Sequence, residues 1–106
     1  MSKTIRFQVT LAAAILLAGA VGFAQSGEAT YKAKCQSCHG TAGVPSPGIA
    51  KAMGVKPAAD PSVKSSSEAK MIAITTNGAG KMPAYKGKLT DAQIKEAVVY
   101  FRTFAK

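Results

Sequence analysis

Cys35-Gln36-Ser37-Cys38-His39 is the stretch from which the rest of this 106-residue chain is read. Two cysteines three positions apart lie on one face of a helical turn, so both sulfurs reach a single flat partner. His39 follows at once and can turn its imidazole under the same partner. C-x-x-C-H is the string by which a c-type haem is attached, with thioethers at the cysteines and the histidine as proximal iron ligand. Three other readings compete. A disulfide here closes a tiny loop and restricts the unfolded chain little. A thioredoxin-like redox pair needs a β-α-β context, and no strand pattern is visible. A structural zinc ion needs four ligands. This string supplies three, and the chain holds no further Cys or His.

Outward from the string, the flanks read as helix. Ser26 is an N-cap candidate for a helix through Glu28, Thr30 and Tyr31 into the motif, with Glu28 in the acid-favouring first turn. Tyr31 stands four residues before Cys35 and is expected to face the interior. Gly27 is either a loose helix end or a point of close approach for a second helix. At the far end, Thr90-Asp91-Ala92-Gln93 forms a capping box. Behind it Ile94, Ala97, Val98, Phe101 and Ala105 make one apolar stripe, widened by Val99, Tyr100 and Phe104. Ser67 caps a third helix with Met71, Ile74 and Thr75 at helical spacing, ending at Asn77-Gly78. Residues 40–67 read as loop, punctuated by Gly and Pro, with one short helical piece over Ile49–Met53. A histidine that ligates iron usually donates its second ring N–H to a carbonyl; for His39 the Pro45–Pro47 stretch lies at a suitable distance, and which carbonyl serves is left open. The fold class is therefore all-α, with three main helices and a short one wrapped around one covalent haem.

The first 24 residues read as an address. Lys3 and Arg6 form a positive n-region, an apolar run follows from Val9 to Leu17, and Gly22-Phe23-Ala24 offers small residues for cleavage. Ala18-Gly19-Ala20 is a second cleavage candidate, and an uncleaved membrane anchor is the alternative. Export suits a protein whose haem is attached to cysteines outside the cytoplasm, and it places the domain at 25–106. That domain has 12 basic and 5 acidic residues, a formal charge of +7. Such a surface favours acidic partners at salt-dependent rates. Nucleic acid is disfavoured by export and by the absence of clustered Arg. A core this small gains from a cofactor sealed among its helices.

The sixth iron position decides between electron transfer and ligand binding. Met71 falls in a helix stripe and Met53 ends a short helical piece, so both read first as core. Met82 sits mid-loop between a Gly-rich stretch and Pro83, which biases it toward an extended backbone. It is the candidate axial thioether; loop filler is its bland alternative.

These parts resemble the small class I c-type cytochromes, soluble bacterial electron carriers with one haem. The likeness rests on Tyr31–Gly40, Thr76-Asn77-Gly78, Lys81-Met82-Pro83-Ala84-Tyr85 and Val98–Arg102, whose spacing spans nearly the whole domain. The resemblance implies haem c at Cys35 and Cys38, axial ligation by His39 and Met82, and a helix crossing in which Gly27 meets Tyr100 or Phe101. It implies a periplasmic, monomeric, non-enzymatic shuttle, meeting membranes only through its redox partners or an uncleaved leader. Some of Lys32, Lys34, Lys81, Lys86 and Lys88 would ring an exposed haem edge and dock acidic patches on those partners, a solvated, merely solubilising surface being the alternative. A gas or redox sensor, or a peroxidase-like module with a displaceable Met82, is the competing reading.

Overall fold

The computed structural model describes residues 26–105; the expected leader, with Lys3 and Arg6, lies outside the described residues. Among the described residues there are six helical segments and no strand. They are α1 (Ser26–Lys34), α2 (Gln36–His39), α3 (Pro47–Met53), α4 (Pro61–Lys64), α5 (Glu68–Asn77) and α6 (Asp91–Arg102).

α1 and α2 form a single run kinked at Cys35. The Cys35 N–H still donates to the Tyr31 carbonyl at 2.9 Å, but Cys38 and His39 both donate to the Cys35 carbonyl, at 3.2 and 2.9 Å. The bond at Cys38 is thus one residue shorter than an α-helix makes, which tightens the turn carrying both sulfurs. Helix α1 already includes Ser26, so its start lies one residue earlier than the cap reading placed it.

α6 is the partner of α1. Its capping box is complete: Gln93 N–H donates to Thr90 Oγ1 at 3.1 Å, and Thr90 N–H donates to Gln93 Oε1 at 2.9 Å. Gly27 is a close-approach point, since a Cβ there would stand 2.6 Å from the Glu96 carbonyl oxygen. The atoms it meets are backbone, one turn before Tyr100. The aromatic part of the crossing is made by Tyr31, whose ring centroid lies 5.3 Å from Tyr100, 6.1 Å from Phe101 and 5.6 Å from Phe104. Tyr31, Ile94, Ala97 and Val98 are buried there. Val99, expected to widen the stripe, is instead 47 % exposed, because α6 is covered on one side only.

The middle segment holds more helix than the sequence suggested. α3 starts at Pro47, two residues before the expected piece, with Ser46 as its cap and Pro47 at the first position. α4 forms where loop is expected: Asp60 caps it by accepting from Ser62 N–H at 3.0 Å, again with proline at its first position. Proline there loses nothing, because that N–H has no partner inside the helix. This segment closes against the residues just after α6 at Gly43, whose φ is +73° and whose Cβ would stand 2.8 Å from the Phe104 Cβ. The Gly43 carbonyl accepts from Ala58 N–H at 2.8 Å, and Ala58 is buried.

α5 begins at the expected Ser67 cap, which accepts from Lys70 N–H at 3.1 Å, and ends at Gly78 with φ +78°. The ψ there, 164°, sends the chain out extended rather than into a further turn. Residues 78–89 then run as a loop and return to Thr90.

Candidate functional site

A cavity of about 470 Å³ lies between the α1–α2 run, α5, α6 and the 78–89 loop. That is within the size range of pockets that bury a small molecule or cofactor. Cys35, Cys38 and His39 line it from the kinked run, and Met82 lines it from the loop. The four residues singled out by sequence therefore share one wall-bounded space. Tyr31, Ile74, Val98 and Phe101 supply much of the apolar lining.

Cys35 and Cys38 are free thiols. Burial pushes the Cys35 thiol up, with the neighbouring Cys38 adding to the shift. Burial lowers His39, so its imidazole is neutral near pH 7 and keeps a lone pair for a metal. The His39 ring stands edge-on to Phe101, with centroids 5.1 Å apart. Its Nδ1 is buried without a hydrogen-bond partner, so the expected bond to a Pro45–Pro47 carbonyl is not made. The nearby Gly40 carbonyl is taken by the Tyr31 hydroxyl at 2.6 Å. Burial pushes Tyr31 up to about 12. It stays a neutral donor that pins the chain just after His39.

The other two methionines also reach the cavity. Met53 lines it from the end of α3, and Met71 from α5. Met71 is distinguished by a polar neighbour: Arg102 Nη1 lies 3.8 Å from its sulfur while donating to the Ser66 carbonyl at 2.7 Å. No sequence signal pairs Arg102 with residues 31 and 36 positions away, and none pointed to it.

The donor set fits a covalent haem. Two thiols, a neutral imidazole and a thioether on the wall of an apolar cavity suit the porphyrin and the soft axial position of its iron. Among the described residues no group of three or more His, Cys, Asp or Glu is placed to hold a bare metal ion. No helix among them is long and apolar enough to cross a membrane.

Comparison with known proteins points the same way. The family described as cytochrome C oxidase, cbb3-type, subunit III matches residues 22–101. The chain is 39 % identical over 77 residues to cytochrome c6 of Leptolyngbya boryana, covering 73 % of this chain and 87 % of that protein. No solved structure gives a significant match.

Proposed function

The chain belongs to the c-type cytochromes and is an electron carrier with a covalently bound haem and protein redox partners; from that premise we propose that Cys35 and Cys38 form the two thioethers and that His39 and Met82 are the axial ligands. The observation that carries this reading is that all four residues line one cavity, three from the kinked run and one from the 78–89 loop. The haem supplies one-electron chemistry, its iron alternating between the ferric and ferrous states. The chain's own residues do the rest. The turn at Cys35 sets the two sulfurs and His39 on the same side. Tyr31 and Phe101 keep water from that side, and the loop presents a thioether, which favours the ferrous state.

Met82 is preferred to its two rivals on the cavity wall. Met71 has its sulfur beside Arg102, and Met53 ends a helix whereas Met82 sits in a loop immediately before Pro83. With both axial positions filled, the protein carries electrons without turning over a substrate. We place it in the periplasm as a monomer, after removal of residues 1–24 at the leader site. It docks acidic partners through lysines around the cavity mouth, and its exchange rates fall as salt rises. Lys32 is paired with Glu28 at 2.8 Å and Lys81 with a carbonyl. That puts the docking weight on Lys34, Lys86 and Lys88, all exposed.

The absorption spectrum of the oxidised and reduced holoprotein tests the ligand set. Low-spin bands with the weak far-red band of a ferric iron–thioether bond are expected, and Met82→Ala should remove that band and open the iron to added carbon monoxide. A band that survives in Met82→Ala rules Met82 out as ligand. A wild-type protein that already binds carbon monoxide freely favours the sensor reading.

A further inference from the structure

The loop that carries Met82 has little of its own to hold it in place. Gly80 and Gly87 both have positive φ and open space around them. The Ala79 and Met82 backbones bond each other, at 3.1 and 2.9 Å, which closes a turn without tying it to anything else. Pro83 has no N–H to offer. Farther on, Tyr85 and Lys86 N–H donate to the Thr75 and Thr76 carbonyls at 3.0 and 3.1 Å, so the loop's far end is fixed to α5. Met82 itself lies out on the span between.

Two side chains cross from that span to other parts of the molecule. Lys81 Nζ donates to the Ala52 carbonyl at 2.6 Å, across 29 positions of sequence. The Tyr85 hydroxyl donates to the Lys34 carbonyl at 3.0 Å, across 51. Both acceptors lie in the last turn of a helix, where carbonyls lack an intrahelical partner. Ala52 is in the final turn of α3, an end that also favours a cation. The Lys34 carbonyl is available because of the kink: Cys38 N–H, which an unbroken helix would direct to it, donates to Cys35 instead. The turn that sets the two sulfurs thus also frees the acceptor for Tyr85. Residues of both anchor regions, Met53 with Gly54 and Lys34 with Cys35, line the same cavity as Met82.

We propose that Lys81 and Tyr85 are positioning residues, a two-point clamp on either side of Met82 that sets how firmly its thioether stays across the cavity. This rests on Met82 being the axial ligand. The clamp makes displacement of Met82 by an outside ligand a matter of two hydrogen bonds rather than of core packing. It also couples the loop to the haem-attachment turn through the Lys34 carbonyl.

The test uses the ferric holoproteins of Lys81→Gln, Tyr85→Phe, the double variant and Lys81→Arg. Imidazole is titrated against loss of the far-red thioether band, and amide hydrogen exchange is followed at Met82. Tyr85→Phe keeps the ring in the cavity wall and removes only the hydroxyl. It is expected to tighten imidazole binding roughly threefold, and Lys81→Gln about twofold, the sizes of single exposed hydrogen bonds. The double variant should approach the product, about sixfold, with faster exchange at Met82, and Lys81→Arg should restore wild-type affinity. A double variant that binds imidazole and exchanges Met82 as the wild type does overturns the clamp while leaving Met82 as ligand. A wild-type protein without the far-red band overturns the ligand reading itself, and the clamp with it.

Discussion

The two walls of the cavity are built by different physics. On the attachment side, α1 and α6 cross through a glycine and bury Tyr31, Ile94, Ala97 and Val98. On the ligand side, residues 78–89 bury no large side chain and are held by backbone bonds to α5 and by the Lys81 and Tyr85 side chains. Apolar burial is non-directional and adds up over area, so the crossing is stiff as a whole. Hydrogen bonds at exposed sites contribute little each and break one at a time. Under the proposed assignment a carrier gains from that division: the irreversible thioethers would sit on the rigid wall, and the exchangeable ligand on the wall that can yield.

The sharpest way to break this comparison is to remove matched apolar volume from each side. Ile94 is 1 % exposed and does not line the cavity, so its truncation probes the crossing without touching the haem site. Ile94→Ala is expected to cost about 2–5 kcal/mol. Leu89→Ala, at a half-buried position that ends the 78–89 loop and likewise lies off the cavity wall, should cost about 1 kcal/mol. Guanidinium unfolding of the holoproteins, read as a midpoint shift at constant slope, measures both. Equal costs would show that the crossing is not the main source of stability.

The same division explains what could be read from the sequence. The crossing was legible because each of its signals is local: a capping box at Thr90–Gln93, a stripe at helical spacing, and a glycine in the first turn of α1. The C-x-x-C-H string is likewise a five-residue signal, and Met82 was marked by its immediate neighbours. Asp60-Pro61, a cap followed by proline, is a further local signal, and it specifies α4. Val99 departs from the expected stripe because apolar character alone does not say how far a helix is wrapped. The clamp could not be seen at all. Its acceptors are backbone carbonyls, which every residue has, and their availability depends on a kink elsewhere in the chain. The same holds for Nδ1 of His39, whose expected carbonyl partner depended on how residues 40–47 fold back.

A smaller effect distinguishes the walls by their charge. Lys86 and Lys88 belong to the ligand side, while Lys95 lies exposed on α6. If partners approach the yielding wall, replacing Lys86 and Lys88 by Gln should flatten the salt dependence of reduction by an acidic partner by about one to two charges' worth, a few-fold in rate at low salt. Lys95→Gln should leave the slope unchanged. Equal flattening by both would place docking nowhere in particular and reduce the lysines to solvated surface.

The smallest effect concerns the middle segment, which neither wall dominates. The Asp60 carboxylate accepts from the Ser62 hydroxyl at 2.6 Å and from its N–H at 3.0 Å. Those two bonds, the hydroxyl's first, hold its pKa below the ordinary carboxylate value, with Lys56 adding slightly. A carboxylate whose pKa is lower folded than unfolded stabilises the fold at every pH above its unfolded value. That contribution fades as acid protonates it, from about pH 4 downward. Asp60→Asn keeps a competent cap and removes the titration. Its melting temperature should therefore fall less than the wild type's between pH 5 and pH 3, by a small margin because solvent reaches the group. Parallel acid limbs would mean that the Ser62 contacts do no more for the ionised cap than for a neutral one, and α4 would then owe its turn to Pro61 and the peptide geometry alone.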